Sequence, residues 1–171
     1  MDTNFLPFTD LNPIAPACRC LPFDPAKWDR LHLHFRDKLF VHAQTRCLLH
    51  IPLNMGAVFA DTWAALSAAD AIDPGFVILS DDQSLWRGHH YFAVRHEVPG
   101  LETVRLSGDF VTRVFEGPYR HAYIWVREMQ ADIEEAGGKM GRLFFYYTSC
   151  PKCAERLGHN YVVGIGEVIS R

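Results

Sequence analysis

The sequence predicts an α+β fold made of duplicated β-α-β-β units, a curved antiparallel sheet with two helices on one face and a central ligand groove. Three observations predict it. Two helical stripes of apolar residues, around Trp63 and Trp125, are each preceded by a long β-rich run and followed by two shorter ones. The order strand–helix–strand–strand therefore occurs twice, at an offset of about 66 residues. A turn containing proline, Pro52 in one half and Pro118 in the other, separates strand from helix at matching points.

Each element has a local reason. Residues 1–36 form an irregular Pro-rich N-terminal arm packed on the domain: Pro7, Pro13, Pro16, Pro22 and Pro25 remove backbone donors, and Phe23 and Trp28 tie the segment down. The domain itself spans 37–171. Residues 38–51 are rich in β-formers and stop at Pro52. Residues 57–71 carry Val58, Phe59, Thr62, Trp63, Leu66 and Ala69 at helical spacing, with Asn54 as a cap and Asp73-Pro74-Gly75 as a stop. Strands at 76–80 and 91–98 flank a polar hairpin loop. The second unit reads as a strand at 102–115, a helix at 119–136 closed by Gly137-Gly138, and strands at 143–148 and 161–169 around a Cys-bearing loop.

Composition bounds the function. At 171 residues the chain makes one ordinary domain whose core needs no disulfide staple. Seventeen basic against twenty acidic residues, a net charge of −3, gives no electrostatic reason for nucleic acid or an anionic membrane as partner. No apolar run approaches the ~18 residues of a membrane span, and residues 1–8 lack the basic start of a signal peptide. Five cysteines, an odd number, fit a reducing cytoplasm better than a secreted framework. The absence of P-loop, dinucleotide and nucleophile-elbow motifs argues against a nucleotide cofactor and serine-hydrolase chemistry. Whether two copies pair as a homodimer is left open by the residues.

Aromatic residues reach 13%, and several have an address in the groove. Trp63, Tyr119, Trp125 and Tyr146 would wall a pocket for an aromatic or cationic small molecule, with core packing as the alternative for any one of them. Glu167 stands in the apolar run GIGEVI and Glu116 at the end of a long strand. A carboxylate so placed is expected to have a raised pKa and to serve as a general acid or base; an outward-facing Glu on a solvated sheet is the alternative. Cys150-Pro-Lys-Cys153 has the spacing of a zinc knuckle, and Cys18-Arg-Cys20 is a second close pair able to complete a structural zinc site. A thiol redox pair and plain reduced thiols compete with zinc, and the redox reading lacks a strand-then-helix setting. Cys47 reads as core. The nine histidines are scattered, and His32/His34 and His89/His90 read as surface groups.

Phe115-Glu116-Gly117-Pro118-Tyr119 leading into a helix that carries Trp125, together with the acidic residue of the last strand, resembles the GyrI-like small-molecule-binding domain. The resemblance covers about residues 37–171. Within it, HIPLNMG, LSGDFVTRVFEGPY and YYTSCPKCAERLGHNYVVG are similar to a bacterial stand-alone subgroup labelled hydrolases. The resemblance implies binding of cationic or aromatic molecules, and in some free-standing members hydrolysis with a pocket Trp and Glu. Carried onto this chain, it implies Glu167 as the acidic pocket residue, lined by Trp125, Tyr119 and Glu116. Glu116 departs from the usual His or aromatic residue, and the Cys150/Cys153 loop lies outside the family pattern. Three functions are therefore expected in turn: a small-molecule hydrolase, a non-catalytic sequestering module, and a zinc-stabilised or thiol-redox protein.

Overall fold

A strand of seventeen residues, β1 (His32–Leu48), is long enough to serve two ladders, and in the computed structural model it does. The structure describes residues 2–16 and 18–170. Beyond β1 the chain forms β2 (Ile51–Pro52), α1 (Met55–Ala68), β3 (Ile78–Asp81), β4 (Arg87–Ala93), β5 (Thr103–Glu116), α2 (Ala122–Glu135), β6 (Lys139–Tyr147), α3 (Pro151–Leu157) and β7 (Tyr161–Ile169). Along one edge β1 pairs antiparallel with β4, and along the other with β5. The order β1-β4-β3-β6-β7-β5 then returns to β1, closing a six-stranded antiparallel barrel. The predicted sheet is thus antiparallel and curved, and its curvature runs through to closure. A bulge between Phe35 and Lys38, with Asp37 at φ 50°, bends β1 so that both halves follow β5.

Closure gives every strand an inside and an outside, and the alternation of side chains sorts them. Leu33, Phe35, Phe40, Leu79, Ala93, Phe110, Phe144, Val163 and Ile165 fill the barrel. The two main helices lie outside it. Leu66 and Trp63 of α1 pack with Val41, Phe76 and Phe92, while Trp125 and Met129 of α2 pack with Phe115, Leu143, Phe145 and Val162. Gly164 and Gly166 let α2 approach β7, since a Cβ at either would meet Met129 at about 3 Å.

The N-terminal arm closes one end. Trp28, 3% exposed, packs with its ring tilted 5.3 Å from that of Tyr146, and Phe23 lies against Tyr146 and Tyr161. The Thr112 hydroxyl donates to the Trp28 carbonyl and accepts from the Leu31 N–H. The regular structure begins at His32, five residues before the expected boundary, because His32 to Phe35 already pair with Gly108 to Val111. Asn54 precedes α1 but makes no side-chain cap; its Oδ1 accepts from the Arg46 N–H instead. The second helix starts at Ala122, after a 3-10 turn at Tyr119–His121.

Trp28→Ala would empty the plug of that end. We expect a loss of about 3–5 kcal/mol in urea-unfolding free energy, with the far-ultraviolet spectrum retained.

Candidate functional site

The chemistry-bearing residues fall into two places, the Cys-bearing loop and the barrel end opposite the arm. At the first, the 150–160 segment is more ordered than a loop: Pro151 opens α3, Cys150 is its N-cap residue, and Gly158 at φ 74° closes it. The strand-then-helix setting missing from the sequence reading is therefore present, as β6 followed by α3. The arm brings the second pair, held by a turn in which the Ile14 N–H donates to the Cys20 carbonyl.

All four sulfurs, of Cys18, Cys20, Cys150 and Cys153, lie within 4.8 Å of one another. The Cys18 and Cys153 sulfurs are 2.8 Å apart, outside the ~2.05 Å of a disulfide, and all four thiols are free. Backbone N–H groups turn toward sulfur: Cys150 N–H to Cys20 Sγ at 3.1 Å, Cys20 N–H to Cys18 Sγ at 3.4 Å, and Cys153 N–H to Cys150 Sγ at 3.5 Å. Burial pushes the Cys20 thiol up. Burial also opposes the Cys150 thiolate, but hydrogen bonds from Cys153 and its thiol neighbours outweigh it and draw that pKa down. These four cysteines could hold a metal ion. Cys47 is buried under the β1–β2 turn, away from them.

The aromatic residues expected to share one groove occupy separate packing clusters. Trp63 meets Phe76 edge-on, Trp125 stacks on Phe115 at 5.5 Å, and Tyr146 points into the barrel. Both helices sit on the outside of a closed wall, so their inner stripes face different strands. Tyr119 is half exposed, and its hydroxyl donates to the Ser149 carbonyl at 2.5 Å, bracing the residue before Cys150. Glu116 is exposed beside an open depression of about 310 Å³ shared with Pro25, Asp29 and Tyr161.

Glu167 corrects the sequence reading in one respect. It lies on the barrel-facing side of β7, but Arg142 grips it: Nε donates to Oε2 at 2.8 Å and a terminal guanidinium nitrogen to Oε1 at 2.6 Å. These hydrogen bonds hold its pKa below the usual carboxylate value, opposite to the raised value expected. A Cβ at Gly108 or Gly141 would strike the Glu167 carboxylate at 2.9 or 2.7 Å, so both glycines make room for the pair. Arg142 in turn lies over Phe110, an interior ring.

That pair belongs to the second place. Toward the end opposite the arm, the inward positions change from apolar to polar: Phe40 gives way to His42, Leu79 to Asp81, Ala93 to Tyr91 and His89, Phe144 to Arg142, and Ile165 to Glu167. The His42 ring lies 5.1 Å from Tyr91 and 5.2 Å from His89, and its Nδ1 is 2.7 Å from Glu102. Sequence reasoning missed His42, His89, Tyr91, Glu102 and Arg142. The signal was the alternation in RGHHYFA, which puts His89 and Tyr91 on one face and His90 on the other.

His90 shows the contrast. It is fully buried outside the barrel under Phe59, between Ser80 Oγ at 2.8 Å and Thr45 Oγ1 at 2.9 Å. Burial first, then the nearby His89 and His42, lower its pKa to about 4. Closed off from solvent, this Ser–His pair is structural.

The fold and these two places define an α+β barrel protein with a tetrathiol cluster at one site and a polar barrel end at another. The chain belongs to the bacterial hydrolase family, whose model matches residues 10–168. No curated protein matches it. No helix among the described residues is long and apolar enough to cross a membrane.

The buried His90 sets a pH dependence. Its folded pKa is below the unfolded value of about 6.5, so its contribution is complete above that pH. It is lost as pH falls toward about 4, by up to about 3 kcal/mol. Urea unfolding between pH 7 and pH 4 should show this decline, and His90→Gln should flatten it.

Proposed function

We propose that the protein is a small-molecule hydrolase that takes its substrate at the polar end of the barrel and keeps its N-terminal arm in place with a structural zinc ion. One observation carries the reading: a barrel filled with apolar side chains ends, on the side away from the arm, in a partly solvent-reached set of His, Tyr, Arg and carboxylate groups. Ionisable groups gathered on one face at the mouth of a closed barrel are a setting for ligand binding. Glu167 serves there as a fixed anion that orients Arg142, and the pair presents one face of the substrate site. The hydrolytic activity is that of the family's description. Kinship with GyrI-like domains is part of the proposal; a long strand, a helix and two further strands in each half, with β2 and α3 added to that order, support it.

The donor set supports zinc. Four thiolates suit a tetrahedral d¹⁰ ion, with Zn–S bonds of about 2.3 Å and sulfurs about 3.8 Å apart. Sulfurs already within 4.8 Å need only small shifts to reach that geometry. N–H donors aimed at three of the sulfurs would stabilise their anionic charge. Cys18 and Cys20 would thereby fasten the arm to α3. Free thiols also support a reducing, cytoplasmic setting.

Metal analysis of the purified chain should give one zinc per molecule, lost in Cys150→Ser together with thermal stability. A metal-free chain whose thiols oxidise reversibly in pairs would replace zinc with redox chemistry. For the ligand site, a compound library read by thermal shift and then by NMR should move Tyr91 and Arg142 signals. Hits that move only Trp63 or Trp125 would place binding on the outer wall and sink the barrel-end reading. With a turned-over hit, Glu167→Gln should cut kcat/KM at least tenfold.

A further inference from the structure

Hydrogen-bond arithmetic at the polar barrel end fixes more than a binding surface. Glu102 Oε2 lies 2.7 Å from His42 Nδ1, and His42 Nε2 lies 2.9 Å from His89 Nδ1. An ionised carboxylate only accepts, so Nδ1 of His42 carries the proton. Nε2 of a neutral His42 is then an acceptor, and His89 Nδ1 must donate to it. The remaining ring nitrogen, His89 Nε2, has its lone pair free. It makes no hydrogen bond among the described residues and is not among the buried unpartnered atoms, so solvent reaches it.

We propose that Glu102, His42 and His89 form a proton relay in which His89 Nε2 is the general base for hydrolysis of a neutral carboxylic ester or lactone, with Tyr91 as the donor to the oxyanion. This rests on the barrel-end reading above and adds the reacting groups and the substrate class. The chain of donors lets a charge gained at His89 spread toward Glu102: an imidazolium at His89 donates to His42, and His42 donates to the carboxylate. His42 and Glu102 act through His89 and are positioning residues.

Tyr91 stands two residues from His89 on β4, on the same face, at a Cα spacing of about 7 Å. The His42 ring touches both, 5.2 Å from His89 and 5.1 Å from Tyr91, so base and donor belong to one cluster at the barrel mouth. The Tyr91 hydroxyl makes no hydrogen bond to a described residue, and burial, with Asp81 and Glu102 nearby, raises its pKa so that it keeps its proton. The charges weigh against an anionic substrate. Arg142 is already committed to Glu167, while Asp81 and Glu102 would repel an anion.

The step balances without any cofactor. A water oxygen attacks the carbonyl carbon as His89 Nε2 takes one water proton, and the oxyanion accepts from the Tyr91 hydroxyl. Collapse breaks the bond to the leaving oxygen, which receives the proton from His89, giving one acid and one alcohol.

The probe is p-nitrophenyl acetate, with folding of each variant checked by thermal melting. The wild-type chain should exceed an equal concentration of free imidazole, and His89→Gln should lower kcat/KM by about 100-fold or more. Glu102→Gln should lower it at least tenfold, with Glu102→Asp recovering part, while exposed His96→Gln changes nothing. Long-range ¹H–¹⁵N spectra should show both His42 and His89 as Nδ1–H tautomers; an Nε2–H tautomer at His89 overturns the relay. Full activity in His89→Gln with loss in Arg142→Gln sinks the relay and leaves the barrel-end site standing. A rate indifferent to both substitutions sinks both, and a wild-type rate no better than imidazole overturns the esterase proposal.

Discussion

The pairing of β1 with β5 is the constraint on which everything else in the molecule depends. Without it the six strands would form an open sheet with two raw edges, a hazard that full closure removes. The bulge after Phe35 lets one strand bend far enough to serve both neighbours. Once the ring is shut, each strand has a single inward face. Phe35, Phe40, Phe110 and Phe144 can then meet in one interior. The same closure puts α1 and α2 on an outer wall, where each covers its own set of strands. It also leaves two ends, and these are treated differently: Trp28 and Phe23 seal one, while charged and imidazole groups occupy the other.

This division separates an apolar, sealed end from a polar one. The sealed end is aromatic and backed by backbone hydrogen bonds from the arm to β5. At the polar end, neighbouring strands supply groups that complement one another, Arg142 to Glu167 and Glu102 to His42 to His89. Strands fix such groups better than loops do, and His89 stands on backbone paired with β1 on one side and β3 on the other.

Much of the element order was legible because it is local. β7 falls on the residues read as the last strand, and α2 lies within the helix read at 119–136 ahead of Gly137-Gly138. The cysteine pairs were legible too, since two residues between thiols is a short-range pattern. Closure was not, because it depends on β1 meeting residues about seventy positions away, which no local period encodes. Glu167 was misread for the same reason: its partner Arg142 lies across a strand pair, 25 residues distant. His89 and His90 were read together as surface groups, yet a period of two sends them to opposite faces of one strand. The helix α3 escaped notice because seven residues carry too little periodicity to stand out.

The cysteine cluster has a consequence for the order in which the chain is made. Cys18 and Cys153 are 135 residues apart in sequence, so their sulfurs meet only after α3 has followed the arm out of the ribosome. Until then the arm has no fastening at α3, and the barrel end it covers stays open. Synthesis and fastening are thereby coupled: the first cysteines to emerge wait for α3, which brings the other two.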